Sequence, residues 1–197
     1  MMVSGIILSA GESRRMGELK QLLPFAKKTI IETVIDNFLK ADLFEVIVVL
    51  GYCAEKIQEV ISKYSIKIAI NENYLNGMLS SVKCGINSAD ESTEGFLIGL
   101  CDQPSIDHSI ISKILSRFRN QRNGIILPVH NNKRGHPIII ANRYNNEIFQ
   151  LDNNMGLRQL IDCHKNDISL VEIESDVIIR DIDFPEDYKH ELRVLRK

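Results

Sequence analysis

Apolar positions along this chain alternate between two rhythms. Mainly apolar runs of strand length cover residues 3–9, 45–50, 66–70, 95–101, 124–129 and 137–141. Between them, apolar residues recur every three to four positions. In 29–40 these are Ile30, Ile31, Val34, Ile35, Phe38 and Leu39, and in 54–63 Ile57, Val60 and Ile61. Residues 78–88 and 107–119 follow the same rhythm, the latter through Ile110, Ile111, Ile114, Leu115 and Phe118. Thr29 followed by Glu32 predicts a capping box, and Asp107 predicts a second N-cap. After a polar loop at 130–135, the tail predicts helices at 143–150 and 155–163. Strand-like runs follow at 168–173 and 177–182, then a last helix from Pro185. Strands separated by helices imply an α/β fold with a largely parallel, doubly wound sheet. No Pro/Gly/Ser-rich linker or internal repeat interrupts residues 1–197, so one domain is expected.

Composition narrows the class of partner. The 24 basic and 26 acidic side chains nearly cancel, and aromatic residues make up only 6% with no Trp. Neither nucleic acid nor an anionic membrane is favoured by such a chain. No apolar run approaches the roughly 20 residues of a membrane span. Residues 3–8 run straight into a loop and are too short for a signal-peptide core, so a cytoplasmic protein is expected. Cys53, Cys84, Cys101 and Cys163 have no CxxC spacing and read as reduced thiols, mostly filling the core.

Five segments carry candidate chemistry. The first follows the opening run: Leu8, Ser9, Ala10 and Gly11 lead into Ser13, Arg14, Arg15, Gly17 and Lys20. A loop at the carboxyl end of a strand is where open α/β sheets bind ligands. Small residues admit phosphate oxygens to the backbone amides, while Arg15 and Lys20 neutralise charge. A solvated basic loop is the alternative. GxxxxGK[ST] and GxGxxG are both missing, so this is neither a Walker A loop nor a dinucleotide fingerprint. The second segment is Cys101-Asp102-Gln103-Pro104, where a carboxylate emerging from a buried strand could hold Mg2+ or merely cap a turn. In the third, Asp181 and Asp183 alternate along an extended run and share one face, while Glu186 and Asp187 suit a helix start. The fourth, Asn76-Gly77 with Ser80 and Ser81, offers hydrogen bonds to a base, sugar or phosphate, or a helix cap. The fifth, Arg134-Gly135-His136-Pro137, enters a strand; alone, its histidine reads as a turn residue.

Taken together in chain order, the segments resemble the MobA-like nucleotidyltransferase family, most closely its molybdenum cofactor cytidylyltransferase branch. The opening pattern LAAGxSxRMGxxKxLLP is matched except at Ser9. Ala10 resembles the LAAG form of the cytidylyl branch rather than the LAGG form of the guanylyl branch, which favours CTP over GTP. The segments at 76–81, 101–104, 134–137 and 181–187 resemble the family's later motifs, with Phe184 departing from its Thr. The resemblance covers roughly residues 3–190. It implies a Rossmann-like nucleotide-diphospho-sugar transferase fold, a mostly parallel sheet flanked by helices.

The activity so implied is Mg2+-dependent transfer of CMP from CTP to the phosphate of molybdopterin, with release of pyrophosphate. Arg15, Lys20 and Asp102 are then the catalytic residues, and Asp102 and Asp183 the metal ligands, with Asp181 a competing choice for the second. Leu8, Ser9, Ala10, Gly11, Ser13, Arg15, Lys20, Gly77 and Ser81 bind nucleotide; Gln103, Gly135 and His136 face the acceptor. A molybdenum hydroxylase enters as a partner enzyme. Transfer to a sugar phosphate, guanylyl transfer from GTP, and a non-catalytic cofactor-delivery role are the alternatives. The lysine–carboxylate set argues against pure delivery, since a binder has no need of metal carboxylates.

Overall fold

A computed structural model describes residues 1–153 and 155–195. Strand β1 (Val3–Ser9) leads through two short 3-10 turns to a small hairpin, β2 (Pro24–Phe25) and β3 (Lys28–Thr29), which the apolar pattern does not predict. Then follow α1 (Ile30–Leu39), β4 (Glu45–Leu50), α2 (Ala54–Ile61), β5 (Lys67–Ile70), α3 (Met78–Asn87), β6 (Gly95–Leu100) and α4 (His108–Asn120). The second half adds β7 (Ile125–His130), β8 (Lys133–Arg134), β9 (Ile138–Ala141), α5 (Asn145–Gln150), α6 (Leu157–Cys163), β10 (Ile168–Glu172) and α7 (Pro185–Val194).

The main sheet runs β10-β7-β9-β6-β1-β4-β5, with β8 paired to β7. It is parallel except at β9, which is antiparallel to β6 and β7, and at the β7–β8 hairpin. Strand β1 lies between β4, formed early, and β6, formed late. The chain thus reverses direction across the sheet at β1, and a crevice opens at the carboxyl ends of β1 and β6.

Helices cover both faces. A Cβ on Gly5 would meet the Phe38 ring of α1, whereas Ile6 packs where a Cβ on Gly85 of α3 would stand. Successive strand residues point to opposite faces, so α1 and α3 lie on opposite sides of β1. The predicted capping box of α1 forms: the Thr29 amide and hydroxyl both donate to Glu32 Oε2, at 2.8 and 2.7 Å. Burial pushes the Glu32 carboxyl up, but hydrogen bonds from Lys63 and Thr29 more than reverse this and hold it at about 2. A carboxylate held below its ordinary 4.5 stabilises the fold at neutral pH. Urea titrations should therefore find Glu32→Gln less stable than the parent at pH 7. The gap should close as pH falls from about 4.5 to about 2. Thr29→Ala should cost about 1 kcal/mol.

Three expectations need correction. Residues 177–182 are not a strand: Asp176–Ile179 forms a 3-10 turn, followed by an extended strap. Ile178 and Ile182 are fully buried, but their backbone groups bond to loops instead of a neighbouring strand. The loop at 130–135 is a tight hairpin, because Asn131 and Asn132 both take positive φ, as a type I′ turn requires. Of the cysteines, only Cys101 is buried; Cys163 is exposed and the other two are half-buried.

Candidate functional site

The crevice between β1 and β6 is a cleft of about 310 Å3. Leu8, Ser9, Ala10, Gly11, Lys20, Gly77, Ser81 and Asp102 all line it, joined by Gln21 and Tyr74. Backbone pairing holds the two strand ends in register past the sheet, since the Cys101 amide donates to the Leu8 carbonyl at 3.1 Å. Asp102 thereby stands beside the opening loop. Burial pushes the neighbouring Cys101 thiol up to about 12, so it stays protonated and serves packing. Gly77, at φ +88°, caps α3 and brings that helix's positive N-terminus to the cleft.

The opening loop is braced from within. Gln21, only 2% exposed, donates from Nε2 to the Gly11 carbonyl and accepts from the Ser13 hydroxyl. Ser13 also accepts from the Lys20 amide, so its side chain supports the loop instead of lining the cleft. Asn71 plays the matching part opposite, donating to the hydroxyls of Ser80 and Ser81 at 2.8 and 3.0 Å. Motif reading missed Gln21 and Asn71; both are buried polar residues whose partners lie eight to ten residues away, a separation that matches neither helix nor strand period.

Lys20 is the hub. Its ammonium donates to Asp102 Oδ2 at 2.6 Å, the Ile182 carbonyl at 2.9 Å and Asp183 Oδ1 at 3.1 Å. Burial pulls its pKa down, and the Asp102 and Asp183 carboxylates more than offset this, so Lys20 is held as a cation. Arg15 is more exposed; its guanidinium pairs with Asp183 Oδ2 at 2.7 Å and lies over the Phe184 ring. Asp183 is itself tied to the start of α7, where its amide and that of Phe184 donate to Asp187 Oδ2.

These residues fit a divalent cation. Asp102 Oδ1 is buried with no hydrogen-bond partner among the described residues, as an oxygen awaiting a cation would be. Among the described residues no group of three or more His, Cys, Asp or Glu could hold a metal. Two carboxylates with room for phosphate oxygens match the way Mg2+ is held beside nucleotides. Asp183, and not Asp181, shares Lys20 with Asp102. Asp181 instead accepts from Gln103 Nε2 at 2.7 Å, its pKa raised by burial and by the Asp102 charge.

A second cleft of about 430 Å3 adjoins the first through Met78, which lines both. Gly135 and His136 line it, with Arg134 and Arg158 among its other walls and Leu79, Val82 and Leu157 supplying apolar surface. Burial lowers the His136 pKa, so a neutral imidazole faces this space. Gln103, expected at the acceptor, lines neither cleft. It is 3% exposed, and both bonds from its amide nitrogen go to residues 178 and 181.

The sequence profile of the MobA-like NTP transferase domain matches residues 5–168. The chain is 37% identical over 184 residues to the molybdenum cofactor cytidylyltransferase of Escherichia coli (strain K12), covering 93% of this chain and 92% of that one. It is 29% identical over 146 residues to the nicotine blue oxidoreductase of Paenarthrobacter nicotinovorans, covering 70% of each. Among solved structures, Rv0371c from Mycobacterium tuberculosis H37Rv shares the fold, with a TM-score of 0.88 at 22% identity over 98% of both chains. The profile match spans the loop and strand ends that build the first cleft, and the 37% identical relative covers 93% of the chain: the chain belongs to the MobA-like NTP transferase family and is a nucleotidyltransferase.

Proposed function

We propose that the protein transfers CMP from CTP to the phosphate of molybdopterin in the cytoplasm, with Mg2+ as the metal and pyrophosphate as the second product. The observation carrying this reading is Lys20 held between Asp102 and Asp183 at a cleft lined by residues 8–11. The similarity to the E. coli cytidylyltransferase supports the choice of substrates. A molybdenum hydroxylase is the enzyme proposed to receive the product.

Transfer requires an acceptor phosphate oxygen to bond to the α-phosphorus as the bond from that phosphorus to the β-bridging oxygen breaks, with pyrophosphate leaving. Residues 8–11 and the Gly77 turn flank the nucleotide; Arg15 and Lys20 carry positive charge to the triphosphate and the departing pyrophosphate. Asp102 and Asp183 would hold Mg2+, which supplies charge stabilisation at the α-phosphate. Neutral His136 would meet the acceptor in the second cleft. A cation–carboxylate hub is what phosphoryl chemistry needs, and hydride transfer makes no use of it.

The test is pyrophosphate release with Mg2+, molybdopterin and each NTP in turn. CTP should be turned over in preference to the others, and a folded sample inactive with every NTP would sink the proposal. Ala10, 6% exposed, lines the cleft. Ala10→Gly should lower the CTP-to-GTP ratio of kcat/KM by about tenfold, the scale of a methyl-sized change in a pocket. An unchanged ratio would remove Ala10 from nucleotide selection.

A further inference from the structure

Residues 178–183 form a strap across the carboxyl end of the sheet, and three separate segments grip it. The Ile178 carbonyl accepts from Gln103 Nε2 at 3.2 Å and from the His136 amide at 3.0 Å. Gln103 Nε2 also donates to Asp181 Oδ1. One residue before Gln103, the Asp102 carbonyl accepts from the Ile182 amide at 3.0 Å, and the Ile182 carbonyl accepts from Lys20. Gly135 closes against the far side, where a Cβ would fall on the Ile178 carbonyl oxygen. Both acceptors facing Gln103 lack protons to give, so its amide nitrogen must point at the strap. The strap matters because its last residue is Asp183, which lies beyond the span of the family match.

We infer that Gln103 and Gly135 are positioning residues for nucleotidyl transfer: they clamp the 178–183 strap so that Asp183 stays opposite Asp102. This rests on the nucleotidyl-transfer reading above and departs from an acceptor-contacting role for both residues. A carboxylate on an irregular strap has no ladder of strand bonds to hold it, so its position depends on such clamps. Partners that orient a metal ligand are typically worth 10- to 100-fold in metal affinity.

The experiment compares the parent protein with Gln103→Leu and Gly135→Ala, which loosen the strap from different sides. Either variant serves if the other fails to fold by circular dichroism. Three quantities are read: hydrogen–deuterium exchange of the peptide spanning 176–184, Mn2+ affinity in the presence of CTP by electron paramagnetic resonance, and the KM for molybdopterin. The expected result is faster exchange and an Mn2+ affinity about 10- to 100-fold weaker in both variants, with the KM for molybdopterin unmoved in Gln103→Leu, whose residue lines neither cleft. A raised KM with unmoved exchange and Mn2+ affinity would hand these residues back to the acceptor and overturn the inference. No change in any quantity would overturn it equally. A parent protein that binds neither Mn2+ nor CTP would instead fail the underlying reading, an outcome distinct from both.

Discussion

Asp102→Asn should reduce Mg2+-dependent turnover about a thousandfold while leaving a folded protein. Asparagine keeps the shape of the side chain and still offers one oxygen to Lys20 Nζ, so the loss isolates the charge. That charge has two jobs. Oδ2 holds Lys20 at 2.6 Å, and Oδ1 is buried with no hydrogen-bond partner among the described residues, which leaves it open to a cation. An amide there cannot compensate a divalent ion, and its NH2 would stand in place of Oδ1. Steady-state pyrophosphate release read against thermal unfolding separates the effects. Parent-like turnover would refute the metal role, and collapse of the fold would show that the carboxylate serves structure.

Lys20→Met should be nearly as costly for turnover, by about a hundredfold or more, since it removes the cation proposed to meet the triphosphate. It also has a consequence without substrate. The lysine side chain is 14% exposed and neutralises two carboxylates, Asp102 and Asp183, that are 18% and 30% exposed. Methionine fills similar volume but leaves those two charges facing each other, at a cost of about 1–3 kcal/mol. The sign of the metal effect follows. In the parent, Lys20 already supplies the cation between the carboxylates, so Mg2+ alone should raise the melting temperature little. In Lys20→Met, Mg2+ should bind the freed pair and recover part of the lost stability. Melting curves with and without Mg2+, in the absence of nucleotide, measure this. Equal shifts in both proteins would mean that Lys20 and the metal do not compete for the same oxygens. Arg15 is the informative contrast: at 57% side-chain exposure its ion pair with Asp183 is well solvated, and its removal should leave stability almost unmoved.

Much of the scaffold was legible along the chain because its signals are local. Buried parallel strands need long apolar runs, and 3–9, 45–50 and 95–101 supply them. The start of α1 was legible for the same reason, since Thr29 and Glu32 sit three residues apart and complete one box. Where apolar content and pairing part company, the reading fails. Val177, Ile178, Ile179 and Ile182 look like a strand because they are β-branched and apolar. Two of them fill the core completely, yet their backbone groups bond to His136 and Asp102 in loops and not to a strand. The Asn131-Asn132 turn was visible in principle, because asparagine tolerates positive φ and two in succession suit a type I′ hairpin.

The site divides along the same line. By itself the sequence determined the small and basic make-up of the loop at 8–20, the carboxylates at 102 and 183, and the strand–helix order that carries them to one sheet edge. Local spacing, charge and hydrophobic period suffice for these, because each depends on residues near one another in the chain. The tertiary structure alone decided which carboxylates share a cation, since Lys20 meets Asp102 and Asp183 across 82 and 163 residues of sequence. It also decided that Gln103 turns from the acceptor to the strap, and that Gln21 and Asn71 brace the cleft. A buried polar group takes whatever partner the fold brings within hydrogen-bond reach, and no periodicity of the chain encodes that partner.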